Sequence, residues 1–189
     1  MEALEVLKGR RSVRKFKDEK VPKELMTEIL ELCRWAPSWA NYQIARYSII
    51  ENQDIITNIA NNCVKGFVYN TNTLKNAKGI MVLSFVLGKS GSLEGKADPS
   101  EINAEEIAKA KAWESFDAGI ACQQFCLAAY AKGVGTCIMG VIDNDSIAQA
   151  INLPAEETVA ALVVYGFEEG GPTAAPIRKE VSEISRFID

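Results

Sequence analysis

Three arginines and a serine hydroxyl fall within five residues: Arg10, Arg11, Ser12 and Arg14, with Lys15 and Lys17 close behind. Guanidinium groups present paired, rigid N–H donors, so such a cluster can grip a phosphate or another planar anion. A solvated basic turn is the alternative, and composition alone favours it. A second polar constellation follows a helix-stopping proline. Pro37, Ser38, Trp39, Asn41 and Gln43 stand in the run APSWANYQ. Side-chain amides and hydroxyls of this kind can read the edge of a heterocycle by hydrogen bonds, or simply build a loop. In AKGVGTCIMG, Gly133 and Gly135 permit a tight turn from helix to strand, and Gly140, after Met139, permits close backbone approach to a flat ligand. The order helix–Gly–strand is not the dinucleotide fingerprint, which runs strand–GxGxxG–helix. Arg178 and Lys179, held extended by Pro172 and Pro176, could close over a phosphate from the far side.

What is missing narrows the chemistry. The chain has 189 residues, five cysteines and no histidine. A Ser-His-Asp triad, a Cys-His dyad and any histidine-containing zinc site are excluded. The cysteines, at 33, 63, 122, 126 and 137, form no CxxC pair and mostly sit in apolar runs, as free buried thiols do. They point to a reducing cytoplasm and to no metal. Net charge is −4, with pI near 5.1, which argues against a dedicated nucleic-acid binder. The first residues lack the apolar core of a signal peptide, and no run approaches the ~20 apolar residues of a membrane span.

The elements that must position these residues can be read from periodicity. MEALEVLKG reads as a short helix ended by Gly9. A strong amphipathic helix begins at Val21-Pro22 and is stopped by Pro37. RYSIIE alternates as a strand, and residues 54–62 and 66–76 look helical. GIMVLSFVLG and TVAALVVYGF are continuous apolar runs of strand length, and GVGTCIMGVI is a further strand. DNDSIAQAI is a short helix that Asp143 or Asn144 could cap. A long helix over 104–132 would span ~40 Å at ~1.5 Å per residue, the full width of the domain. Its half AGIACQQFCLAAYA is apolar or small nearly all round, which predicts a subunit interface. The whole predicts one α+β domain over 1–189, with helices covering a mainly antiparallel sheet.

Taken together and in order, RRSVRKF at 10–16, APSWANYQIARYSII at 36–50, the long helix with KGVGTCIMG, and IRK at 177–179 resemble the nitroreductase family. These are FMN-dependent, homodimeric NAD(P)H oxidoreductases. The resemblance implies a three-layer α/β/α sandwich with the long central helix at the dimer interface, and two FMN sites built from both subunits. It implies that Arg10, Arg11, Ser12 and Arg14 contact FMN from one chain, joined by Arg178 and then Lys179 at the phosphate. Pro37, Ser38, Trp39 and Asn41 would come from the other chain, residues 88–106 would be a lid over the flavin, and 168–189 a tail reaching the partner subunit. Asn70 would bond the flavin pyrimidine edge, and the backbone of Met139 and Gly140 would lie near flavin N5. No side chain need be catalytic, since the flavin carries the hydride; NADH or NADPH donates it. Nitroaromatics, quinones or enones would accept it in ping-pong fashion. A non-catalytic flavin-binding or redox-sensing module is the rival reading. The chain also departs from the family's pattern: Ala40 stands where a glycine is common, Ile44 where proline is usual, and Ala45 where tryptophan is common.

Overall fold

The computed structural model describes residues 2–66, 68–91, 104–171 and 174–188 (at 104 and 106–111 the backbone alone). Four strands, β1 (Ala45–Ile50), β2 (Gly79–Val86), β3 (Gly135–Met139) and β4 (Glu157–Gly166), form one sheet in the order β1-β2-β4-β3. Every neighbouring pair is antiparallel. Among the described residues seven α-helices accompany it: α1 (Ala3–Gly9), α2 (Lys23–Cys33), α3 (Gln53–Asn62), α4 (Val68–Lys75), α5 (Ala104–Ala131), α6 (Asn144–Ala150) and α7 (Val181–Ile184). Residues 92–103, most of the expected lid, lie outside the described residues.

The sheet is covered on both faces, and that explains its sequence. On one face Met81, Leu83, Phe85, Val163 and Tyr165 pack against α2 and α5, through Met26, Ile29, Cys33, Ala121, Phe125 and Ala129. On the other, Ile80, Val82, Met139, Leu162 and Val164 meet Ile56, Ile59, Leu74 and Ile147 of α3, α4 and α6. A strand with helices on both sides has no solvent face, so GIMVLSFV shows no polar alternation. The edge strand β1 is fully buried only at Ile50, and its residue types alternate apolar and polar over Ala45–Ile49. These layers match the expected α/β/α sandwich.

Helix ends fall where local chemistry puts them. α2 ends at Cys33, before Pro37 is reached. Gly133 closes α5 in a left-handed conformation, φ +78°, and the Val134 amide donates back to the Ala129 carbonyl at 2.8 Å. Among the described residues no helix is long and apolar enough to cross a membrane.

Asp143 rather than Asn144 caps α6: its Oδ1 accepts from the Ser146 amide at 3.0 Å. Its Oδ2 meets the Lys65 ammonium at 2.8 Å, tying the chain after α3 to α6. The Lys65 hydrogen bond, followed by the Ser146 amide, holds the carboxyl down from 3.8 to about 2. A carboxylate whose folded value is depressed stabilises the fold fully above its unfolded value and loses that contribution as pH falls through the folded one. Asn at 143 keeps the cap and loses the ion pair. Asp143→Asn is therefore expected to be less stable than the parent at neutral pH, with the gap closing as pH falls from 3.8 toward 2. Urea titrations across that range check it; a gap independent of pH would remove the ion pair from the account.

Candidate functional site

The basic segment is held by backbone pairing rather than by its own side chains. Ser12 bridges Thr136 on the open edge of β3, and the Val13 amide donates to the Thr136 carbonyl at 2.9 Å. Phe16 bridges Glu168; the Lys17 amide donates to Phe167 O at 2.9 Å, and the Glu169 amide to Lys15 O at 3.0 Å. Two glycines make room. Gly135 and Gly166 are register partners at the start of β3 and the end of β4. A Cβ on Gly135 would stand 2.7 Å from Val13 Cγ2, and one on Gly166 would stand 3.0 Å from Phe16 Cδ1. Gly133 alone makes the turn, so Gly135 serves close packing rather than turning.

This pairing sets Arg10, Arg11, Ser12 and Arg14 around a cleft of about 510 Å³, with Arg178 and Pro176 of the tail on its far wall. Five basic side chains, counting Lys15, line it against two acidic ones, Glu168 and Glu169. Lys179 is not among the lining residues. The arginines differ in role. Arg11 Nη1 donates to Lys8 O at 2.7 Å and Arg10 O at 2.9 Å, so this guanidinium braces the end of α1. Its Nε is buried without a partner. Arg14 Nη1 makes only a long 3.4 Å contact, to Ser12 O. The positive charge also reaches the core. Cys122 and Cys126, one turn apart on α5, are buried. The Cys126 thiol is lowered mainly by hydrogen bonding to Cys122, then by Thr136 and by the charge of Arg10, against its burial. Cys122 is pushed up in turn by the same bond and by burial.

Gly140 opens a second groove, of about 570 Å³, at the other end of β3. Its walls include Ala118, Gly119, Cys122 and Gln123 of α5 and Leu83, Phe85, Ala160 and Ala161 of the sheet. Among the described residues nothing beyond its chain neighbours lies within 4 Å of where a Gly140 Cβ would stand, so the space on that side of the glycine is open. The Met139 side chain is buried in the opposite layer, leaving only its backbone for a ligand.

Pro37, Ser38 and Gln43 line a third cavity, of about 360 Å³, between α2, β1 and α5. Within one chain they do not join the arginine cleft. The loop here is strained. Ala40, Asn41 and Gln43 all have positive φ, at 45°, 58° and 51°, each costing on the order of 1–3 kcal/mol. A single 3-10 turn over Trp39–Asn41, unmarked in the sequence, carries the strain. Ser38 Oγ accepts from the Gln43 amide at 2.9 Å. The Trp39 amide donates to both oxygens of Asp117, at 3.1 and 2.9 Å. The Trp39 ring lies 4.8 Å from Trp113, which lies 5.0 Å from Phe116. Asn70 is half-buried on α4, a helix starting in the exposed pair Val68-Tyr69, and lines none of these three cavities. Asp117, Glu168 and Glu169 escaped the sequence reading, because single acidic residues in a helix or after a strand carry no spacing signal.

Ala40 occupies a conformation that glycine takes without a Cβ clash, which accounts physically for the glycine common there in the family's pattern. Ala40→Gly is expected to stabilise the chain by up to ~1 kcal/mol, the left-handed penalty outweighing glycine's greater unfolded-state freedom. A chemical-denaturation midpoint checks this; a loss of stability would show the loop to be unstrained.

Comparison with known proteins bears on the whole chain. The YdgI protein of Bacillus subtilis, provisionally named an NAD(P)H nitroreductase, is 28% identical over 185 residues, covering 85% of each sequence. A nitroreductase family protein from Streptococcus pneumoniae superposes with a TM-score of 0.82 at 16% identity, over 99% of this chain and 100% of that one. A protein from Exiguobacterium sibiricum, provisionally named a nitroreductase and solved in complex with FMN, gives 0.78 at 21% identity, over 100% and 98%. At such identities the structural likeness carries the fold alone. The family model described as the nitroreductase family matches residues 7–167, from the basic segment to the end of β4, and the chain belongs to that family.

Proposed function

We propose that the chain is an FMN-dependent oxidoreductase that uses NADH or NADPH to reduce a flat, conjugated acceptor such as a nitroaromatic, a quinone or an enone. Family membership supports the oxidoreductase class. The observation that carries the cofactor reading is the pair of clefts at opposite ends of β3. Ser12 bridges Thr136, and Gly140 lies four residues further on, ~13 Å away at about 3.3 Å per residue. One end is cationic and the other has an open glycine backbone on an apolar floor. A ligand with a phosphate at one end and a planar heterocycle at the other suits both. The unpartnered Nε of Arg11 adds a buried donor at the phosphate end.

On this reading Arg10, Ser12, Arg14 and Arg178 hold the phosphate, while Arg11 shapes the cradle from behind. The backbone of Met139 and Gly140 would border the reactive edge of the heterocycle, and Asn70, which lines neither cleft, would approach its pyrimidine edge from α4. Bound FMN would supply the redox chemistry, the relay of hydride from NAD(P)H to the second substrate. The protein's part is to orient, to neutralise charge and to exclude water, which explains how a chain without histidine can be an oxidoreductase. Trp39, Trp113 and Phe116 form an aromatic patch suited to flat acceptors.

The chain would act as a homodimer, with Pro37, Ser38, Trp39 and Asn41 completing the site of the partner. Leu4 and Leu7 of α1, Phe116 of α5, and Val181, Ile184 and Phe187 of the tail are all exposed in the single chain. So much exposed apolar surface favours burial against a second copy.

An anaerobic visible spectrum of the purified protein tests the proposal. Flavin bands that bleach with NADH or NADPH and return with a quinone are expected. Bands that persist with both donors would make the chain a flavin-binding module, and no flavin binding after FMN addition would remove the cofactor. Arg10→Ala should weaken FMN at least ~10-fold, the scale of a lost charged hydrogen bond, and leave the dimer intact.

A further inference from the structure

We propose that Asp117 is a positioning residue: its carboxylate holds the 38–43 loop in its left-handed conformation and couples that loop to the turn at Gly88–Ser90. The proposal rests on the reading of this loop as part of the functional site. Asp117 is 3% exposed, yet it carries an ionisable group with no salt-bridge partner among the described residues. Among the described residues its side chain accepts from two donors, which come from two separate segments. Both oxygens accept from the Trp39 amide, at 3.1 and 2.9 Å, and Oδ2 also accepts from Ser90 Oγ at 2.5 Å. Trp39 is 78 residues away in sequence and Ser90 is 27. Three residues earlier on the same face of α5, Glu114 is buried as well and accepts from the Gly88 amide at 2.6 Å.

Burying a carboxylate is costly unless donors compensate it. Here the compensation is spent on holding loops, not on neutralising charge. The Trp39 amide sits next to the strained run Ala40, Asn41 and Gln43, which persists only if its surroundings over-determine it. Asp117 fixes the start of that run, and Ser38 Oγ, through the Gln43 amide, fixes its end. Ser90 touches neither, yet it shares an oxygen with the Trp39 amide. Losing Ser90 removes a donor from that oxygen and leaves the carboxylate less well satisfied and less fixed. The Gly88–Ser90 turn therefore bears on the shape of the 38–43 loop through one side chain.

The test is amide hydrogen exchange at Trp39, read beside Leu83 of β2 as a control for global opening, in the full-length flavin-loaded protein. Asp117→Ala should speed Trp39 exchange at least ~10-fold relative to Leu83. Asp117→Asn, which keeps an acceptor for the amide and a donor for Ser90, should restore part of the protection. Ser90→Ala, a mild change that removes no contact to the loop itself, should speed Trp39 exchange in the same direction and raise KM for a quinone more than it lowers kcat. Trp39 exchange that is unchanged in Asp117→Ala, or that merely follows Leu83 in every variant, would overturn the proposal. Faster Trp39 exchange with an unchanged quinone KM would overturn its functional half. The bleaching of bound flavin by NAD(P)H in the same samples tests the proposed function separately.

Discussion

The hydrogen bond from the Val13 amide to the Thr136 carbonyl, 2.9 Å long, joins the basic segment to the edge of the sheet, and the candidate site depends on it. β3 is an edge strand, and an uncovered edge is an open row of backbone groups. Ser12 and Val13 pair with it at Thr136, and Lys15–Lys17 pair with the chain just past the end of β4, so two backbone anchors hold the arginine segment in place. The glycine pair 135 and 166 is what admits Val13 and Phe16 to that edge. A methyl group at 135 would stand 2.7 Å from the Val13 side chain and push that part of the segment outward, whereas one at 166 would crowd the Phe16 ring at 3.0 Å, a contact that a small shift of the ring relieves.

The charge balance follows from the same placement. The chain as a whole is acidic, yet the cleft gathers five basic groups against two acidic ones. Arg11 turns its donors to the carbonyls that end α1, where positive charge also suits the helix dipole. Arg10 and Arg14 remain for a ligand from one wall, and Arg178 from the other. The core beneath responds as well, since Arg10 helps to lower the Cys126 thiol. The second loop is governed by opposite charge: buried carboxylates on α5 hold backbone amides and a hydroxyl in place.

Much of this was legible in the sequence because it is carried by runs. Apolar stretches marked β2 and β4, helical periodicity marked α2, the long apolar run up to Gly133 marked α5, and the RRSVRKF cluster marked the cleft. The structure brings Arg10, Arg11, Ser12, Arg14 and Arg178 together as that reading expects. What escaped depends on single residues and long-range pairing. The left-handed turn at Ala40 is invisible because alanine does not advertise positive φ. Asp117 looks like any helical acid until Trp39 and Ser90 arrive from far along the chain. Gly135 reads locally as part of a turn, whereas Val13 is what it accommodates.

The most direct test of the two-ended site is a comparison of FMN with riboflavin, the same heterocycle without the phosphate, by quenching of flavin fluorescence on the purified chain. If the arginine cleft grips the phosphate through several charged hydrogen bonds, FMN should bind at least ~100-fold more tightly than riboflavin, one equivalent per chain. Equal affinity for the two would contradict the account, because the cleft at the start of β3 would then contribute nothing to holding the ligand.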